Sequence, residues 1–133
     1  SIVFRNQFTE YPDFMMHSLS NDRALTYFLM LHGKFWFINK KMCVYRVHAS
    51  GLIAAGDKTV RLKYLVSNIE LTNNFAIFTS NNLPLQKIIH AERANLTKNL
   101  FYFGKVKDYW HYKKYINTLD WIKIFIFKLI NKK

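Results

Sequence analysis

Lys34-Phe35-Trp36-Phe37-Ile38-Asn39-Lys40-Lys41-Met42-Cys43-Val44-Tyr45-Arg46-Val47-His48 is the stretch on which the fold reading turns. Apolar runs at 34–38 and 42–48, rich in aromatic and β-branched residues, flank a polar turn at 39–41, and this arrangement predicts a β-hairpin. Working back, Asn21 and Asp22 stand just before Ala24-Leu25-Thr26-Tyr27-Phe28-Leu29-Met30-Leu31, which His32-Gly33 ends. That is a capped helix start with a glycine stop. Further back, the opening Ser1-Ile2-Val3-Phe4 reads as a buried strand over 1–5, followed by an irregular loop carrying Tyr11-Pro12-Asp13. Strand, helix and hairpin together predict an α/β unit over 1–53.

Forward of Ala49-Ser50-Gly51 the character changes. Segments 59–79, 83–103 and 108–131 carry helical spacings separated by polar breaks, which predicts three or four helices in a C-terminal extension over 54–133. The charge divides the same way. Residues 1–53 hold six Lys or Arg and three Asp or Glu, whereas 54–133 hold fourteen and five, so most of the net +12 belongs to the helical part. No internal repeat or low-complexity linker interrupts the chain, and the break at 51–56 reads as a seam inside one compact unit. A buried strand at the opening, with no signal-peptide pattern, leads us to expect a piece of a longer protein.

With 133 residues, half of them apolar, the chain is long enough for one domain with its own core. The single cysteine, Cys43, excludes an internal disulfide framework and reads as a small buried hydrophobe in its strand. Four Gly and two Pro are too few for a collagen-like or linker-like chain. No run approaches the roughly 18 apolar residues of a transmembrane helix. The basic excess points to an anionic or membranous partner. P-loop, dinucleotide and hydrolase-elbow motifs are absent. Asp13 and His17 stand four apart, but no third residue follows to complete a metal site.

The order of acid at a helix start, helix, Gly33-Lys34, strand, turn, Tyr45-Arg46-Val47-His48 and Gly51 resembles the C-terminal half of the catalytic domain of family 2 glycosyltransferases. Val3-Phe4-Arg5-Asn6 is similar to the strand that precedes the acceptor region in bacterial members. The resemblance covers about two fifths of the chain. It implies a partial GT-A sheet-and-helix unit with Asp22 as catalytic base and His48 as ligand of a divalent metal, Mg2+ or Mn2+, on the donor diphosphate. By strand alternation Arg46 points away from Val47 and could share the cleft with His48, contacting phosphate or carboxylate, and a surface salt bridge suits it equally. Asn21 departs from the Gly or Glu usual before the base. The implied reaction is transfer of a sugar, with inversion, from a nucleotide-sugar such as a UDP-sugar to a hydroxyl of a polysaccharide or lipid-linked glycan acceptor. The physics of that role is simple: a helix N-terminus keeps a carboxylate ionised and oriented to take the acceptor proton. The same residue types also make ordinary helix caps. The family's Asp-x-Asp motif and nucleotide-binding half are missing, so the isolated chain is expected to be an inactive fragment of the enzyme.

The tail has its own character. Trp121-Ile122-Lys123-Ile124-Phe125-Ile126-Phe127-Lys128-Leu129-Ile130, with Lys132 and Lys133 after it, interleaves bulk and charge over a length too short to span a bilayer. Such a helix suits the headgroup layer, its lysines snorkelling to anionic lipid, and predicts a cytoplasmic protein held peripherally at the inner face of the membrane. A last core helix would show the same residues. Two readings stand beside the transferase: a non-catalytic membrane-surface or partner-binding scaffold, and a basic nucleic-acid-binding module. Interleaved Tyr, Trp and Lys suit the latter, but no helix-turn-helix, RNA-recognition or zinc spacing supports it. Nothing in the sequence indicates an oligomeric state.

Overall fold

A computed structural model describes residues 2–5, 8–16, 18–36, 38–40 and 57–131. Among these, all regular structure is helical: α1 (Asn21–Met30), α2 (Lys58–Phe78), α3 (Leu83–Phe103) and α4 (Thr118–Ile130), with 3-10 segments at Asp13–Met15 and Val106–Tyr115. This overturns the α/β, GT-A expectation for the described residues. Stretches 2–5 and 34–36, expected as strands, are irregular, with Val3 and Trp36 each 91% exposed. The physical reason lies in the pattern. Phe35-Trp36 and Ile2 to Phe4 are short unbroken apolar runs, which carry no period of two, and a strand without a partner ladder leaves its backbone polar groups unpaired. The second expected strand, 42–48, with Cys43, Arg46 and His48, lies outside the described residues.

The helices follow local chemistry. Asp57 caps α2 by accepting from the Thr59 backbone N–H at 2.7 Å, and Asn82 caps α3 by accepting from that of Leu85 at 3.2 Å, with Pro84 in the first turn where its missing N–H costs nothing. Gln86 reaches back across the short 79–82 turn. Its Nε2 donates to the Ala76 and Thr79 carbonyls at 2.8 and 2.9 Å, satisfying the end of α2. Gly104 follows the last turn of α3 in an extended conformation, at a position where a Cβ would meet the Tyr109 ring at 2.5 Å and the Leu100 carbonyl oxygen at 2.9 Å. The expected 108–131 helix is two pieces. Asn117 accepts from Asp120 N–H at 2.8 Å and starts α4 afresh.

The antiparallel α2–α3 hairpin is the spine, and an apolar cluster sits at each end. Toward the hairpin turn, Phe14, Ala24, Tyr27 and Phe28 pack on Leu71, Phe75 and Ile89. Toward the open end, Ile69, Leu96, Leu100 and Phe101 pack on Tyr112 and Ile124. Tyr27 bridges polar and apolar layers: its ring stacks on Phe75 at 4.7 Å, and its hydroxyl meets Thr72 Oγ1 at 2.9 Å.

Candidate functional site

Asp22, the expected base, is the second residue of α1 and exposed; the cap position belongs to Ser20, whose side chain makes no capping bond. The Asp22 Oδ1 accepts from the Arg23 backbone N–H at 2.8 Å, so its charge already serves the start of its own helix. It lines a cleft of about 390 Å3 with Arg23, Arg61 and Asn68, among others. Arg23 is engaged elsewhere, in an ion pair with Glu92 of α3. Burial alone would lower the Arg23 pKa, and the pairing with Glu92 and Tyr27 outweighs it, holding the guanidinium charged. Arg61 lies flat over the Phe103 ring, 3.6 Å from its centre. Asn68 is nine-tenths buried, and its Oδ1 has no hydrogen-bond partner among the described residues. Arg46 and His48 lie outside the described residues, so no arrangement of the three expected site residues is on view. Among the described residues no group of three His, Cys, Asp or Glu side chains converges. The implied metal therefore finds no donor set there, and no chemical step is derived through it.

The tail builds a different kind of surface. On α4, Asp120, Trp121, Ile124, Phe127 and Lys128 recur at helical spacing and face the body of the protein. Asp120 pairs with Lys98 at 3.3 Å, Trp121 meets Phe101 edge-on at 5.1 Å, and Phe127 meets Tyr102 edge-on at 4.9 Å. Lys128 turns inward. Its Nζ donates to the Tyr102 and Gly104 carbonyls, both at 2.9 Å, and so caps the end of α3. Burial, with the nearby charge of Lys58, lowers its pKa.

The opposite face of α4 is apolar as well: Leu119, Ile122, Phe125, Ile126, Leu129 and Ile130 are all exposed, the first and last by 71% and 76%. Cations lie near the helix. Lys113 Nζ stands over both Trp110 and Trp121, 4.5 and 5.0 Å from the ring centres, beside the start of the helix. Lys123 is exposed on the helix itself, and Lys105 follows the Gly104 that Lys128 holds at its far end. Sequence reasoning found this helix from the interleaving of bulk and lysine. It did not find the inward turn of Lys128, which depends on where α3 ends. No helix among the described residues is long and apolar enough to cross a membrane. No protein-family model, curated protein or solved structure matches the chain.

Proposed function

We propose that the chain is a helical module that attaches peripherally to an anionic membrane surface through the outward face of α4. One observation carries this reading: after α4 has satisfied its contacts with α3, six large apolar side chains on its other face remain in water. A contiguous apolar face of this kind is what an interaction site offers, and scattered single exposures are not. Thirteen residues reach about 20 Å, short of the roughly 30 Å hydrocarbon core, so the helix lies along the interface. Lys123 on the helix and a net charge of +12 favour lipid phosphates over a second copy of the same basic chain. Among the described residues there is no sheet to support the architecture that sugar transfer needs, and nothing there gives Asp22 a reacting partner.

Co-sedimentation with vesicles tests the proposal. The chain is expected to pellet with phosphatidylserine-containing vesicles at low salt, to be released as salt rises, and to bind neutral vesicles far less. Ile122→Asp with Ile126→Asp should weaken binding at least tenfold, circular dichroism confirming that the variant stays helical. A folded chain that remains in the supernatant with anionic vesicles overturns the reading. So does a dimer that these substitutions dissolve without any vesicle binding, because a second copy would then own the face.

A further inference from the structure

Away from α4's outward face and from Asp22, two cations converge on one ring. The Arg93 guanidinium of α3 lies 4.3 Å from the centre of Tyr115, and Lys114 Nζ lies 5.1 Å from the same centre. Among the described residues neither makes an ion pair with a carboxylate. Arg93 has only neutral protein partners there: its Nη1 donates to Asn73 Oδ1 at 3.1 Å, and its Nη2 meets His90 Nδ1 at 3.3 Å. Its Nε–H is out of contact with water and has no partner among the described residues. A guanidinium whose described partners are all neutral is suited to an anion, because its planar fork can take two oxygens of one anion at once. Beside it opens a cleft of about 470 Å3 whose lining includes Asn73, Ser80, Arg93 and Tyr115, and no acidic side chain.

We propose that this cleft binds a phosphate group, with Arg93 as its fork, Lys114 as a second charge and the Ser80 hydroxyl as a neutral donor. Two cations with no countercharge match a dianion better than a single carboxylate, and Arg recognises planar pairs of phosphate oxygens where Lys supplies a point charge. Asn73 holds the guanidinium in place from α2, so the fork is oriented before the anion arrives. The site stands on different residues from the apolar face of α4 and is tested separately. Its phosphate could be a lipid headgroup or a free phosphate.

The experiment titrates inorganic phosphate into the full chain, followed by amide NMR shifts, with chloride at matched ionic strength as control. We expect saturable shifts at Asn73, Ser80, Arg93 and Tyr115 with phosphate and not with chloride. Arg93→Gln should weaken binding at least tenfold. Lys114→Gln, at an exposed position, should weaken it severalfold and guards against a folding defect in the first variant. In parallel, phosphatidic acid vesicles are offered to the same proteins: weakened pelleting of Lys114→Gln, with displacement by inorganic phosphate, identifies a headgroup, and unchanged pelleting identifies a free phosphate. Equal shifts with chloride and phosphate, or binding untouched by both substitutions, overturn the proposal. The Ile122→Asp, Ile126→Asp variant should keep the phosphate shifts, so failure of the membrane reading would leave this result standing.

Discussion

Tyr112 shows how one side chain ties two elements. It is 6% exposed, and its hydroxyl donates to Glu70 Oε1 of α2 over a long 3.4 Å bond. Burial first, then the Glu70 carboxylate, push its pKa up to about 12 from the usual value near 10. Because the folded value lies above the unfolded one, ionisation favours the unfolded chain. The stability contributed by the neutral phenol is therefore complete below about pH 10 and is lost as pH rises through about 12. We expect urea unfolding to show this loss, of about 3 kcal/mol, and Tyr112→Phe to remove that part of the pH dependence while other groups go on titrating. Identical pH profiles for the two proteins would show that the phenol is not the group responsible. Lys114 and Arg93 on Tyr115 show the converse at the same scale, where like charges gather without a carboxylate to offset them.

At the scale of elements, Lys128 adds a polar fastening to the apolar seam that holds α4. Only Ile124 of its thirteen residues is fully buried, and the two Lys128 bonds close the otherwise unpaired end of α3. Replacing Lys128 by Met keeps the stem and removes the donors. We expect a stability loss of about 1–2 kcal/mol, read as a lower urea midpoint with an unchanged slope; an unchanged midpoint would mean that the bonds do no more than replace water. Elements differ in how legibly they are written. The segments 59–79 and 83–103 agree with α2 and α3 almost to the residue, because Asp57, Asn82, Pro84 and Gly104 mark their ends with chemistry that works locally. The tail falls within one predicted segment, 108–131, because in sequence Asn117 is an ordinary polar residue and only its bond to the Asp120 N–H marks a new start. Lys34 to Trp36 misled for the opposite reason: aromatic density resembles a strand, but pairing is a property of a partner. The apolar face of α4 was legible from its composition. The Arg93, Asn73 and Tyr115 cluster was not, because its members stand about twenty residues apart and only the hairpin brings them together.

Across the whole molecule, the long α2–α3 hairpin makes two apolar clusters into one structure. Leu71 and Phe75 of α2 serve the cluster that receives α1, while Leu65, Val66 and Ile69 of the same helix serve the one that receives α4. The Arg23–Glu92 ion pair and the Tyr27–Thr72 bond fasten α1 to both spine helices, so the α1 end cannot open without disturbing the spine. A helix that has lost its packing at one end has little intrinsic reason to persist, because propensity alone is marginal at this length. Phe75→Ala is therefore expected to cost about 3–5 kcal/mol through the cavity it leaves, and the loss should be felt at the other end. Trp110 and Trp121 meet edge-on at 5.3 Å beside the far cluster, and Trp121 packs on it. Trp fluorescence should then follow far-UV circular dichroism in a single coincident urea transition for both the native chain and the variant. Trp36, exposed and remote from either cluster, should be replaced by Phe in both proteins so that the signal reports only the far end. Two separated transitions in the Phe75→Ala protein, helix signal falling before the tryptophans respond, would show that the ends fold as independent units and that the spine does not couple them.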